Sequence, residues 1–122
     1  MSEKKILLLD DEERLLDLLG DFVDDMGHPV EMFTSSNQAF DSFSSSPEKY
    51  KMIITDHTMP ELSGLGLIAK VREISKETPC VLTSGAALDE IDDLLEKDSN
   101  FYYLKKPYKR IHLKELLDKF NF

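Results

Sequence analysis

Asp10, Asp11, Asp56, Thr83 and Lys106 share one feature of placement: each stands where a short apolar run gives out. Asp56 follows Met52-Ile53-Ile54-Thr55, and His57-Thr58-Met59-Pro60 then turns the chain away, because proline cannot continue a central strand. Asp10 and Asp11 follow Ile6-Leu7-Leu8-Leu9, Thr83 ends Cys80-Val81-Leu82-Thr83, and Lys106 comes just after Phe101-Tyr102-Tyr103-Leu104. Carboxylates packed closely repel and raise each other's pKa unless a cation joins them. Oxygen-only ligands suit a hard ion, and Mg²⁺ is the natural candidate. A lysine, a hydroxyl and a magnesium around one carboxylate are the parts that phosphoryl transfer needs. Metal and ammonium neutralise charge on the transferring oxygens, and the hydroxyl donates to one of them. Asp56 is then the nucleophile and forms an acyl phosphate.

Each residue alone has a plainer explanation. An aspartate after a strand can simply start a turn. Acidic residues also suit a helix N-terminus through its dipole, which fits Glu12 and Glu13 well. The functional reading rests on several strand ends carrying such groups at once, since the carboxyl ends of strands in an open α/β sheet are where ligands bind.

The elements that must position these groups are legible from hydrophobic pattern. Lys4 to Leu9 reads as a strand buried on both faces. A helix runs from the acidic cluster to about Met26, with Leu15, Leu16, Leu18, Leu19, Phe22, Val23 and Met26 as its stripe, and Gly27 and Pro29 end it. Val30 to Phe33 is a second strand, and Ser35 or Ser36 caps a helix through Phe40 and Phe43. Ser44-Ser45-Ser46-Pro47 reads as a loop before the Asp56 strand. Ser63-Gly64 opens a helix with Leu65, Leu67, Ile68, Val71 and Ile74 inward. Pro79 leads into the Thr83 strand, closed by Ser84-Gly85. The next helix, roughly Ala87 to Lys97, has Leu88, Ile91, Leu94 and Leu95 inside and Asp89, Glu90, Asp92, Asp93 and Glu96 outside. After the Tyr103 strand, Lys105-Lys106-Pro107 turns into a last helix with Ile111, Leu113, Leu116, Leu117 and Phe120 inward. Five strands alternating with five helices predict an α/β fold: a doubly wound parallel sheet with helices on both faces.

The chain of 122 residues is expected to be one domain, residues 1–122, able to bury about two-thirds of its unfolded surface. Its 24 acidic and 15 basic residues give a net charge of −9, which disfavours nucleic acid and anionic membrane as partners. Cys80 is the only cysteine and lies in an apolar run, so it reads as a buried structural thiol. There is no apolar run of membrane-spanning length and no signal-peptide core, and the expected location is cytoplasmic.

At this point the sequence resembles a known family, the response-regulator receiver domain of two-component signalling. The resemblance covers nearly the whole chain and rests on Asp10-Asp11-Glu12, Asp56 with Met59-Pro60 and Gly64, Thr83-Ser84-Gly85, and Lys106-Pro107-Tyr108. It implies a flavodoxin-like (βα)5 fold with strand order 2-1-3-4-5, as in a chemotaxis receiver. It implies that Asp56 accepts phosphate from a histidine kinase or histidine phosphotransfer protein. Asp11, Asp56 and the Thr58 backbone carbonyl would hold Mg²⁺ directly, with Asp10 acting through a water, and Mn²⁺ would substitute. Lys106 would pair with the phosphoryl group and form a cis bond to Pro107. Thr83 would donate to a phosphoryl oxygen, with Tyr103 as the aromatic that swings inward with it. The domain would be a signalling switch that assists its own phosphotransfer and dephosphorylation, not a conventional enzyme.

Some positions depart from the family. Ser99-Asn100 stands where Gly-Ala often precedes the fifth strand, Thr58 replaces an amide, and Gly85 occupies the other position thought to tune hydrolysis. Asp56-His57-Thr58-Met59-Pro60 is similar to receivers fused to hybrid histidine kinases. Two other classes compete with this reading. An aspartate-nucleophile phosphatase needs a second aspartate two residues on, where Thr58 stands; a receiver-like module that is never phosphorylated usually lacks an acidic residue or the lysine, and all are present here. No Gly-x-Gly-x-x-Gly follows the first strand, against a dinucleotide site. His28 and His112 read as ordinary surface residues, and His57 as a loop residue facing away from Asp56.

With no DNA-binding helix pair in the chain, output is expected through protein contacts or through parts of a larger protein outside this chain. The surface expected to sense phosphorylation spans residues 87–120. It sets the acidic helix beside the basic edge of Lys105, Lys109, Arg110 and Lys114, and suits a downstream protein or a second copy of the domain. The metal-free acidic cluster is expected to store repulsion that Asp56→Ala or Asp11→Ala would relieve.

Overall fold

The computed structural model describes residues 4–85 and 89–120. Its strands are β1 (Lys5–Leu9), β2 (Val30–Phe33), β3 (Tyr50–Asp56), β4 (Cys80–Ser84) and β5 (Phe101–Lys105). Its α-helices are α1 (Glu13–Asp25), α2 (Ser36–Ser45), α3 (Gly64–Ile74), α4 (Asp89–Lys97) and α5 (Arg110–Asp118). All strand pairs are parallel, in the order β2-β1-β3-β4-β5. This is the order the resemblance implies.

Side chains alternate across a strand, so each strand feeds two cores. Ile6, Leu8, Met52, Ile54 and Val81 face α1 and α5, where they meet Leu16, Val23, Leu113, Leu116 and Leu117. Leu7, Leu9, Ile53, Cys80, Leu82 and Phe101 face α2, α3 and α4, where they meet Ala39, Phe43, Leu67, Ile68, Val71 and Ile91. Burial on both faces explains why the central strands are continuous apolar runs and do not alternate. Cys80 is fully buried, and desolvation pushes its thiol up to about 12, so it is inert packing.

Local signals act as expected at the helix ends. Gly27 takes φ +92° after α1. The Ser35 hydroxyl accepts from the Gln38 N–H at 3.3 Å, and the Ser63 hydroxyl from the Gly66 N–H at 3.1 Å. Gly64 is required by close approach: a Cβ there would lie 2.6 Å from the Asp56 carbonyl oxygen and 2.6 Å from Leu82 Cδ1.

Several expectations need correction. Ser44 and Ser45 belong to α2, and Pro47–Lys49 forms a short 3₁₀ turn instead of an open loop. Five residues assigned inward are exposed: Leu15, Leu18, Ile74, Leu95 and Ile111. A sheet face touches only one stripe of each helix, and these leucines and isoleucines lie beyond its width. Leu88, and the expected start of its helix at Ala87, lie outside the described residues; from Asp89 onward Ile91 is buried and Leu94 packs partly against the core. His112 is exposed, as expected of a surface residue, and its Nδ1 also accepts from the Lys109 N–H at 3.1 Å and caps α5.

The departure at Ser99-Asn100 is accommodated by a charged staple. The Arg72 Nε donates to Asp98 Oδ2 at 2.7 Å, and its other nitrogens reach the carbonyls of Ser75, Thr78 and Asn100. Asp98 in turn accepts the Asn100 N–H at 2.9 Å. The chain thus enters β5 on side-chain hydrogen bonds in place of a glycine turn, and among the described residues no non-glycine has positive φ.

Candidate functional site

Asp10, Asp56 and Lys106 continue the side-chain alternation of the α1/α5 face: Leu8, Ile54 and Leu104, which pack there, each precede one of them by two residues. Thr83 follows Val81 in the same way. Strand parity alone therefore aims all four groups to one side of the sheet edge. Register brings them together, with Asp56 beside Thr83 across β3 and β4 and Leu9 beside Thr55 across β1 and β3.

Lys106 Nζ donates to Asp56 Oδ1 at 2.9 Å and lies 3.6 Å from Asp10 Oδ2. The Thr83 hydroxyl donates to the same Asp56 oxygen at 3.5 Å. Asp10, Asp11 and Asp56 each offer a carboxylate oxygen, and these atoms lie within 4.8 Å of one another. Asp10 and Asp56 are buried, whereas Asp11 is exposed. Asp10 Oδ1 also accepts the Glu12 N–H at 2.9 Å, which fixes the carboxylate at the start of α1.

The electrostatics follow from this packing. Burial pushes the Asp10 carboxyl above its ordinary range, with the Glu12 N–H and Lys106 pulling the other way. Burial also works against the charge on Lys106, but its hydrogen bond to Asp56 and the fields of Asp56 and Asp10 outweigh that and hold the ammonium above its usual value. The peptide bond from Lys106 to Pro107 is cis.

The remaining expected residues sit further out. Thr58 is exposed in the β3–α3 loop. Tyr103 projects to the opposite face, toward α2–α4, and its hydroxyl donates to the Ser84 carbonyl at 3.2 Å, one residue beyond Thr83. His57 faces away from Asp56, with its Nδ1 accepting the Leu65 N–H at 3.4 Å. Of the expected basic edge, Arg110 leans instead over the Phe22 ring of α1, 5.0 Å from its centroid. Sequence reasoning did not find the cavity of about 640 Å³ that joins the Asp56 site to the space between α1 and α5. Its signal was present in the surplus of leucines at Leu15 and Leu18, more than one buried stripe can use.

The family model described as a response regulator receiver domain matches residues 6–118. The chain belongs to that family. It is a receiver domain of two-component signalling. It is 30% identical over 119 residues to the chemotaxis protein CheY homolog of Campylobacter jejuni, covering 93% of this chain and 89% of that protein. It is 32% identical over 111 residues to the transcriptional regulatory protein RprY of Bacteroides fragilis, covering 88% of this chain but 45% of that protein. The CpxR homolog of Haemophilus influenzae is 30% identical over 104 residues, with 44% of its length covered. The chain thus spans less than half the length of these two regulators. A receiver domain from Clostridium thermocellum superposes with a TM-score of 0.83 at 24% identity, covering 96% of this chain and 93% of that one, which shows the shared fold. Among the described residues, no helix is long and apolar enough to cross a membrane.

Proposed function

We propose that Asp56 is the phospho-acceptor of a phosphorelay, taking phosphate from a histidine kinase or histidine phosphotransfer protein. The observation that carries this is the convergence of Lys106 and Thr83 on one oxygen of Asp56, beside two further carboxylates. A lone aspartate paired with lysine would be an ordinary ion pair. Three clustered carboxylates with a fixed ammonium and a hydroxyl are a site for a transferring dianion and a divalent cation.

The donor set fits magnesium: every ligand atom is oxygen, and the cluster is buried on one side and open on the other. Asp11, Asp56 and the Thr58 carbonyl would hold the ion, with Asp10 behind a water, and Mn²⁺ would substitute. When bound, the ion supplies positive charge to the transferring oxygens. Lys106 orients the phosphoryl group and stabilises its charge. Thr83 donates a hydrogen bond from its hydroxyl to a phosphoryl oxygen, a stronger acceptor than the carboxylate it meets at 3.5 Å. Tyr103 senses that shift through Ser84, and the surface of α4, β5 and α5 changes its affinity for a downstream protein or a second receiver. The whole chain, residues 1–122, acts as one such domain in the cytoplasm.

The test is phosphorylation with acetyl phosphate or a phosphohistidine donor, with and without Mg²⁺, followed by borohydride trapping and mass spectrometry. The adduct should map to Asp56, require the metal, and compete with beryllofluoride. An adduct that persists in Asp56→Asn would sink the assignment.

A further inference from the structure

The stretch that carries Thr58 is held mainly from outside itself. His57 is fixed at its start: its N–H donates to the Thr83 carbonyl at 2.9 Å, and its carbonyl accepts the Gly64 N–H at 2.9 Å. Among the described residues, no backbone–backbone hydrogen bond reaches residues 58–62. Their polar ties come from the start of α2. The Ser36 hydroxyl, on a residue with 0% of its surface exposed, accepts the Leu62 N–H at 2.9 Å. Glu61 Oε1 accepts the Ser35 hydroxyl at 2.6 Å and the Asn37 N–H at 3.5 Å.

These bonds have a physical logic. A buried hydroxyl needs a hydrogen-bond partner, and the partner of Ser36 lies 26 residues away in the β3–α3 loop. Glu61 is exposed, yet its carboxylate is bound at the N-terminus of α2, where the helix dipole favours it. Chain stiffness carries the hold back to Thr58. Pro60 fixes its own φ and disfavours a helical Met59, and the Met59 side chain is buried in the core. With His57 held at one end and Leu62 at the other, the peptide between Thr58 and Met59 keeps little freedom.

We infer that Glu61 and Ser36 are positioning residues for the Asp56 site: they clasp the β3–α3 loop to α2 and so preset the Thr58 carbonyl for a divalent cation. This rests on the reading of that carbonyl as a metal ligand. Each residue acts through the loop, not by touching the ion or the phosphoryl group. A loop released from the clasp spends part of its time in other conformations, and affinity falls in proportion to the population of the competent one. Loss of one such hold should weaken magnesium binding about fivefold, the equivalent of about 1 kcal/mol. Once the ion is bound the loop is in place, and phosphorylation should then run at its ordinary rate.

The experiment measures the dissociation constant for MgCl₂ by NMR titration of wild type, Glu61→Ala, Glu61→Gln and Ser36→Ala. The rate of Asp56 phosphorylation by acetyl phosphate is followed across the same Mg²⁺ range. Glu61→Ala and Ser36→Ala should each raise the dissociation constant about fivefold, while the rate at saturating Mg²⁺ stays within about twofold of wild type. Glu61→Gln keeps the acceptor oxygen without the charge, and its dissociation constant should also stay within about twofold of wild type. Thermal melts check that each variant folds; should Ser36→Ala fail, the two variants at exposed Glu61 decide the question. Wild-type affinity in Glu61→Ala would overturn the clasp while leaving Asp56 as acceptor. A Glu61→Gln variant as weak as Glu61→Ala would overturn it too, because lost charge would then be the cause. So would a loss of rate that saturating Mg²⁺ does not repair. Absence of magnesium binding in wild type would overturn the metal reading and this inference with it.

Discussion

Neutralising Asp56 separates two effects that the sequence merges. Read from sequence, Asp56→Ala should relieve repulsion in the acidic cluster and stabilise the metal-free protein. The structure adds Lys106, 2.9 Å from Asp56. With an effective dielectric of about 20, that attraction is of order 6 kcal/mol, while repulsion from Asp10 at up to 4.8 Å is about 3.5 kcal/mol. Exposed Asp11 adds a smaller, screened repulsion, and the desolvation of a buried carboxylate opposes the pair by several kcal/mol more. These terms nearly cancel. In Asp56→Asn, Lys106 also retains Asp10 at 3.6 Å. The metal-free melting temperature should therefore change little, by the equivalent of about 1 kcal/mol in either direction.

The magnesium response should change greatly. At ten times its dissociation constant, a ligand of the folded state adds about 1.4 kcal/mol, or about 5 °C in melting temperature for a chain of this size. Wild-type protein should show that rise on titration with MgCl₂, and Asp56→Asn should lose most of it. Asp11→Asn should lose it too, but should gain stability without metal, because the Lys106 ammonium pairs with Asp56 and Asp10 and does not depend on Asp11. The assay is differential scanning calorimetry at fixed ionic strength, with CaCl₂ and NaCl as controls. A wild-type-sized magnesium shift in both variants would refute the claim that these carboxylates form one site.

Further perturbations test the rest of the scheme. Thr83→Ala should leave phosphorylation of Asp56 possible but uncouple it from partner binding, and Tyr103→Phe, which loses the bond to Ser84, should weaken the coupling; beryllofluoride-induced NMR shifts that spread to α4 and β5 unchanged in both variants would count against this. Glu31 gives a pH signature. Burial works to raise its carboxyl, but hydrogen bonds from Tyr50, Lys49 and Ser42 outweigh it and hold it at about 2. Its folded-state value lies below the ordinary 4.5, so its stabilisation is present above pH 4.5 and is lost as pH falls toward 2; melting temperature should drop more steeply across that window in wild type than in Glu31→Gln. Arg72→Met should cost about 2–4 kcal/mol by urea denaturation, since it strands a partly buried Asp98 and three carbonyls, and a loss below about 0.5 kcal/mol would show the staple to be ornamental.

What could be read in advance was whatever depends on neighbours in sequence. Val30–Phe33, the Ser35 and Ser63 caps and the Gly27 stop are local events, and each stands where pattern puts it. The site was legible for the same reason: parity along each strand aims Asp10, Asp56, Thr83 and Lys106 to one face, whatever the details of packing. Contacts between distant residues carried no such signal. Arg72 and Asp98 are 26 residues apart, as are Lys5 and Glu31, and neither pair is distinguishable in sequence from two solvated charges. The width of a helix stripe was equally hidden. Leu15, Leu16, Leu18 and Leu19 all look inward on a helical wheel, yet α1 buries Leu16 and Leu19 more deeply and leaves the other two in solvent.

That failure and the site are connected. The sheet is flanked by two helices on the active face and three on the other. With fewer helices above it, the face carrying Asp56 leaves a gap between α1 and α5, and apolar residues at the gap's rim remain exposed. The same geometry that makes Asp56 reachable makes Leu15 and Leu18 look misplaced. Tyr103, by contrast, lies on the three-helix face, where a ring movement must repack against α4. On the proposed reading, parity divides the labour: the groups that would handle phosphate face the open side, and Tyr103, which would report on them, faces the packed side. The backbone at Thr83 and Ser84 joins the two, since Thr83 touches Asp56 and the Ser84 carbonyl holds Tyr103. A signal that takes this route from phosphate to the output surface has to move β4 at that point, which is why the loss of the Tyr103 hydroxyl should be felt in coupling and not in chemistry.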